Sequence, residues 1–507
     1  MSPARARPLR RFALLLPALV LATLAGVACG DAGAPTGAPS AAATDPAPFA
    51  SHSPTPPSVA PSARPPAAPS TKPPGAAFNV KTYGVIADGV IDDRAAVDAA
   101  ARAAVAHGGH VYFPAGTYRL GGALQAVAGA YYYAPHRVVW RTEGVIIGAD
   151  GVVIDGPTLK AFGTDRGIRI GNAQTLVRRM VVKNCTFARG TREYRGFRVM
   201  ILRGHDCIID HNRFSGTPGS GGNIQVIGGK RNHITNNTIR GGTTSILFMW
   251  NQGNGGGEAS VIEDNVVTGN LYSGASEEGI SFDVMGNSPW NGLFEYDALT
   301  AVEGQTVVLS ERAFPTYIGY DVVFVDGGLA GRTRTITAQS GNRFTLAGSV
   351  AGAAPGDHVT VAAVYKHNYV AYNTGSAAYT ALLLYGNCFG NTLEHNTVTG
   401  DNKIRVSSVN HLTPAAGSAT LAGTTSARAP SGFNTIRDNS AGQRIHLDYQ
   451  GWNGREPIYS SWGDNVMGNL TPVVDAWYQH AYFSGNSGKE SFSYVTRASA
   501  PFAYDGQ

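Results

Sequence analysis

Two short segments, Lys403-Ile404-Arg405-Val406-Ser407 and Arg444-Ile445-His446-Leu447-Asp448, alternate chemistry-bearing side chains with aliphatic ones. In an extended strand every second residue shares a face. Lys403, Arg405 and Ser407 then lie together, as do Arg444, His446 and Asp448. A third segment, Glu278-Gly279-Ile280-Ser281-Phe282-Asp283, puts Ser281 and Asp283 on one face and Ile280 and Phe282 on the other. Cations, an imidazole and carboxylates are the parts needed to remove a proton beside a carboxylate. A cation neutralises that carboxylate, a base takes the proton and an acid serves the leaving oxygen. Arg405 or Lys403 is the candidate neutraliser, and His446 or a basic neighbour the candidate base. Asp448 would orient His446. Asp283 and Glu278 are also candidate Ca²⁺ ligands. The bland alternative is a solvated face, but a random outer strand usually holds fewer titratable groups.

Something must bring segments so far apart in sequence onto one face, and a repeat supplies it. One phrase returns eight times, aligning Cys185, Asn212, Asn237, Asn265, Asn373, Asn396, Asn439 and Asn465. Three residues earlier stand Val182, Ile209, Ile234, Ile262, Val370, Leu393, Ile436 and Trp462. Where no insertion intervenes the spacing is 27, 25, 28, 23 and 26 residues. A period in the twenties with one apolar and one amide column means a solenoid, one coil per repeat. Coils stack at strand-pairing distance, about 4.8 Å, and asparagine suits the bend between strands, where its amide bonds to backbone or to the next asparagine. A second amide column stands five residues upstream, at Asn232, Asn368, Asn391 and Asn434. The expected class is all-β.

Composition agrees, with 64 glycines in 507 residues and modest charge. The net charge of +5 is mostly N-terminal. Residues 1–77 hold six basic and two acidic residues, which leaves +1 for the remainder. No whole-domain electrostatic argument for nucleic acid survives that balance. Arg5, Arg7, Arg10 and Arg11 precede an apolar run from Phe12 to Leu24, the pattern of an export signal over residues 1–28. Cys29 follows small residues, as in a bacterial lipoprotein signal, so the expected location is extracytoplasmic, secreted or lipid-anchored at Cys29. Residues 29–77 read as a Pro/Ala/Ser-rich tether. Cys185, Cys207 and Cys388 are odd in number and imply no disulfide framework.

From Phe78 the chain resembles a known family. Phe78-Asn79-Val80-Lys81-Thr82-Tyr83-Gly84, then Asp88-Gly89-Val90-Ile91-Asp92-Asp93, an Ala-rich helix and Val111-Tyr112-Phe113-Pro114-Ala115-Gly116-Thr117-Tyr118 resemble the N-terminal module of the pectate-lyase-like right-handed parallel β-helix superfamily. The helix would plug the solenoid end with Val97, Ala100, Ala101, Ala104 and Val105, capped by Asp92 or Asp93. Asp88, Asp92 and Asp93 are read as cap and turn residues. The superfamily includes lyases, hydrolases, epimerases and phage spike proteins, so the module speaks for fold rather than reaction.

The resemblance implies coils of three strands, with the asparagine column between the second and third. The outer face of the next strand would carry a substrate groove. Those strands would be Asn223–Ile227, Ser245–Trp250, Gly279–Val284, Thr380–Tyr385, Lys403–Ser407 and Arg444–Tyr449. Alternation sends Leu383 inward and leaves Gln225, Leu382, Leu384 and the charged set outward. Trp250, Trp290 and Trp452 would stand on the groove rim as sugar platforms, with Gln225 and Arg444 binding substrate. Residues 286–365 interrupt the repeat and read as an inserted β subdomain at the groove edge. The implied partner is a polysaccharide. Elimination on a uronic-acid polymer leads over hydrolysis by paired carboxylates, because basic residues share the outer face with His and carboxylates. Asp283 and Asp448 lie about 14 Å apart by strand counting, beyond the inverting separation unless Glu278 or Glu295 takes part. An epimerase or a non-catalytic glycan-binding protein is the further alternative. Polygalacturonase-type paired aspartates and an Arg-x-Pro-x-x-Arg element are absent. Ile209-Asp210-His211 resembles a short lyase motif, and Phe282-Asp283 resembles part of the mannuronan epimerase site, with Val284-Met285 replacing its Pro-His.

Overall fold

A computed structural model describes residues 73–161, 167–172, 174–188, 196–218, 221–249, 261–283, 293–311, 314, 316–325, 327–329, 331–400, 403–412, 426–429, 431–432, 434–450, 482–484 and 487–492. The export signal, the tether, Cys29, all three rim tryptophans and the repeat ending at Asn465 lie outside these residues.

Short strands pair in parallel with their counterparts one coil later. One sheet has 12 strands, from Ala77–Asn79 to Tyr482–Ser484. The chain is a right-handed parallel β-helix. Coils hold one more strand than the three expected, because two-residue strands such as Gly229–Lys230, Ile262–Glu263, Tyr365–Lys366 and Cys388–Phe389 form a small sheet of their own. Stacked Ile, Val, Leu and Phe fill the interior, including face-to-face pairs Phe187–Phe214 at 4.5 Å and Phe248–Phe282 at 4.2 Å.

Two asparagine ladders flank the 12-stranded sheet. One runs Asn212–Asn237–Asn270–Asn373–Asn396–Asn439, and the other Asn232–Asn265–Asn368–Asn391–Asn434. In each rung the carbonyl oxygen accepts the previous rung's backbone N–H and side-chain N–H, while the amide nitrogen donates to a backbone carbonyl and to the next rung. This corrects the sequence alignment. Asn265 belongs to the upstream ladder, Asn270 takes its place in the main one, and Val267 rather than Ile262 is its inward partner. The misreading has a local cause, since both asparagines follow an apolar residue by three positions. The three described cysteines are buried and unpaired; Cys185 and Cys207 stand where the two ladders begin, their N–H groups donating to Asn212 and Asn232.

The residues before the main ladder, Asn184, His211, Asn236, Tyr372, His395 and Asp438, all have positive φ. His211 is therefore a turn residue, its Nδ1 2.7 Å from Asp210. Asp264 shares the other turn column, with Arg179, Asp206, Arg231 and His367.

Helix Arg94–Ala106 buries Val97, Ala100, Ala101 and Ala104. Val105, expected in the plug, is 40 % exposed. Asp93 is the N-cap residue but makes no side-chain cap bond; its Oδ1 instead accepts the Ile86 N–H at 2.9 Å. Asp92 accepts the Arg94 N–H and chelates its guanidinium, which holds its carboxyl down at about 2. Asp88 accepts from Val90 and Ile91 N–H groups. All three accept backbone N–H groups of nearby turns.

After Asp283 the solenoid is interrupted by a seven-stranded antiparallel sheet with its own core, running from Leu293–Ala298 to His358–Ala362. The Tyr365 hydroxyl donates to the Asp283 carbonyl at 2.7 Å, tying the two ends of the interruption together. A buried ion pair, Lys366 Nζ to Asp321 at 3.0 Å, pins the inserted sheet to the coil.

Candidate functional site

The expected groove strands exist as Ile224–Val226, Ile246–Phe248, Glu278–Asp283, Thr380–Tyr385, Lys403–Leu412 and Ser440–Gln450. Their register sorts the outer residues into columns. One runs Arg169–Met200–Gln225–Leu247–Ser281–Leu383–Arg405–His446. A second, two residues on, runs Asp283–Tyr385–Ser407–Asp448. Lys403 faces Arg444 in a third. Arg405 is thus directly opposite His446. For Arg444, His446, Asp448 and Ser407 only the backbone positions are described.

Pairing reverses one parity. Leu382 and Leu384 stand against Ile404 and Val406 in the inward columns, and Leu383 stands between Ser281 and Arg405 on the outer one. A run of three leucines carries no alternation to read, so the neighbours decide. The outer columns are also covered rather than open. Gln225, Leu247, Ser281, Asp283, Leu383 and Arg405 are all buried, so Gln225, expected as a substrate contact, presents little surface.

Arg405, 4 % exposed, donates from Nη1 to the Tyr379 hydroxyl at 3.0 Å and lies 6.0 Å from the Tyr385 ring centroid. Lys403, half-buried, places Nζ 4.9 Å from the ring centroid of Tyr379, which is itself 50 % exposed. Two cations therefore converge on one phenol that reaches solvent. Asp283 leaves Oδ1 without a hydrogen bond, and the neighbouring Ser281 Oγ is likewise unpaired. Burial, with the charges of Glu278 and Glu277 adding to it, raises the Asp283 carboxyl well above the ordinary range. Burial without a counter-charge disfavours the ionised form of a carboxyl and favours the form that can donate a proton. Sequence alone does not single out Tyr379 and Tyr385. Their only signal is position, before and at the end of a face strand.

Glu278 does not join Asp283. Five residues separate them on one strand, roughly 16 Å at about 3.3 Å per residue, with opposite parity. One calcium ion needs its oxygens within about 2.6 Å, so this pair does not fit the ion expected there. Burial, then Glu277, raises the Glu278 carboxyl too. Among the described residues, Glu263, Asp264 and His367 bring one ligand atom each within 4.8 Å of one another. Glu263 there is already bound by Lys230 at 2.9 Å.

Strand Lys403–Leu412 runs beyond the face and folds back as a hairpin with Ser426–Ala429. Strand Ser426–Ala429 of that hairpin lies against strands Leu293–Ala298 and His358–Ala362 of the inserted sheet.

The fold is that of a right-handed parallel β-helix, and two stretches of the chain match family models. Residues 77–133 match the family described as rhamnogalacturonase A/epimerase, pectate lyase-like, and residues 138–287 match the right handed beta helix region. The chain is similar to mannuronan C5-epimerases of Azotobacter vinelandii, at 52% identity over 54 residues for AlgE3 and 55% over 47 residues for AlgE4. These stretches are 10% and 9% of this chain and only 3% and 8% of those proteins. Among solved structures it is similar to the AlgE4 A-module from that organism (14% identity, 84% of this chain, 100% of that chain, TM-score 0.34). Another is the endo-xylogalacturonan hydrolase of Aspergillus tubingensis (11% identity, 82% and 95%, TM-score 0.42).

Proposed function

We propose that this protein acts on a uronic-acid polysaccharide by removing the C5 proton and eliminating the C4 substituent. The observation that carries this reading is the buried Arg405 guanidinium, held beside Tyr379 and Lys403 on the outer face and two strands from the buried Asp283 carboxyl. Lys403, half-buried, meets the substrate carboxylate, and Arg405, buried beside it, stabilises the charge that develops there. His446 or a basic neighbour takes the C5 proton. The C4–O bond then breaks, its electron pair leaves with the oxygen, and Asp283 supplies the proton. A C4–C5 double bond and a new chain end result. Asp283 and Asp448 lie three strand steps apart, roughly 14 Å, beyond the about 6.5–9.5 Å spacing of inverting hydrolases. That distance weighs against hydrolysis.

One observation favours a second reading: the curated relatives matched by sequence are named mannuronan C5-epimerases. Epimerisation shares the proton abstraction and differs in returning a proton to the opposite face of C5. Export and lipid attachment at Cys29 remain part of the proposal, and an extracytoplasmic site would place the protein with its polymer. The test incubates the protein with alginate, polygalacturonate and neutral glucans, recording ultraviolet absorbance of unsaturated uronate, reducing ends and C5 deuterium exchange. Absorbance rising with reducing ends supports elimination, and exchange without new ends supports epimerisation. Reducing ends alone, or no signal on any acidic polymer, defeats the proposal.

A further inference from the structure

A different face of the solenoid carries a line of cations. Strands Gly116–Leu120, Val138–Thr142, Thr158–Ala161, Thr186–Ala188, Arg213–Pro218 and Thr238–Gly242 pair in order. Their inward residues Tyr118, Leu120, Trp140, Leu159, Phe187, Phe214 and Ile239 fill the core. Their outward register aligns Arg119, Arg141 and Lys160 on three consecutive strands, and two strands after Ala188 it reaches Arg240, with Arg213 two residues aside. Five strand steps from Arg119 to Arg240 make roughly 24 Å at about 4.8 Å each.

Like charges on adjacent rungs repel. Glu143 offsets one of them, bound to Arg119 at 2.8 Å, and Arg141 donates to the Gly89 carbonyl at 2.7 Å. Lys160, Arg213 and Arg240 are exposed and make no hydrogen bond or ion pair among the described residues. Thr117, Thr158, Thr186 and Thr238 stand in the adjacent outward column, the one that holds Arg213. The chain beyond residue 77 is nearly neutral at +1, so this density is local to the face.

We infer that this face is an accessory track for a linear polycarboxylate chain, which lies across the strands with carboxylates on the cations and sugar hydroxyls on the threonines. The substrate class rests on the proposed function; the site does not. The track holds polymer near the enzyme without taking part in turnover.

The test measures retention of the full chain on immobilised polygalacturonate and alginate across a salt series, with duplex DNA as a competing polyanion. The triple variant Lys160→Glu, Arg213→Glu, Arg240→Glu is expected to lose about tenfold in retention at low salt, the difference closing as salt screens it. Turnover of short oligouronides stays at the wild-type rate. The control triple Lys81→Glu, Arg178→Glu, Arg179→Glu retains binding. Unchanged retention in the first triple, equal loss in the control, or DNA bound as tightly as polyuronate overturns the inference. Absent turnover with strip-dependent retention defeats the proposed function alone. Normal turnover with strip-independent retention defeats the track alone.

Discussion

Replacing Arg405 by alanine separates catalysis from folding. In the ground state the guanidinium donates to Tyr379, a phenol exposed enough to take water instead. Losing that bond costs about 1 kcal/mol, and losing the buried stem about 1–2 kcal/mol more. The ladders and core lie elsewhere, so the fold survives. In the transition state a preorganised cation facing developing charge contributes about 2.7–4 kcal/mol, or about 10²–10³ in rate. Arg405→Ala should therefore lower kcat/KM on polyuronate by that factor, with a small drop in urea midpoint. Arg405→Lys keeps charge but loses the planar fork and should fall between. Initial rates of unsaturated-product absorbance and urea unfolding give both quantities. A folded Arg405→Ala protein losing less than about tenfold, under about 1.4 kcal/mol, would refute the assignment.

Asp283→Asn should abolish elimination yet stabilise the fold at high pH. Because the folded-state pKa of Asp283 is raised, its stabilising share is whole below the ordinary carboxylate pKa and lost as pH rises through the raised value. Every tenfold gain in proton affinity on folding corresponds to about 1.36 kcal/mol; parallel stability–pH curves for wild type and variant would count against this. Asn237→Leu orphans the Asn212 backbone and side-chain N–H groups and removes one donor each from the Ile209 carbonyl and the Asn270 amide oxygen. At about 1–3 kcal/mol per buried orphan the chain should fail to fold, seen as loss of cooperative melting. Asp321→Ala strips Lys366 of its buried partner and should cost about 3–5 kcal/mol. Hydrogen exchange should place that loss in the inserted sheet; a global loss would mean the sheet does not open by itself.

What repeats is legible in the sequence. Inward aliphatics and bend asparagines recur because each coil meets the same neighbours above and below, so one local pattern appears many times. The β-helix and the strands from Thr380–Tyr385 to Lys403 onward follow from that, whereas the N-terminal module is legible only through its resemblance to a known family. Where the pattern is satisfied twice within five residues, at Asn265 and Asn270, only stacking chooses. Where it is absent, in Leu382-Leu383-Leu384, only pairing with Ile280 and Ile404 sets which side faces in.

Chemistry is legible as residue types and hidden as environment. Arg405 and Asp283 stand out by charge and alternation, but the sequence holds no sign that both are buried. Nor does it show that Arg405 bonds Tyr379, 26 residues away. Glu278 looks like a partner for Asp283 because the two are near in sequence, yet an extended strand carries neighbours apart. Burial and proton affinity arise from atoms contributed by other coils and by the inserted sheet. Repetition along the chain determined the fold, and contact between distant segments decided the site.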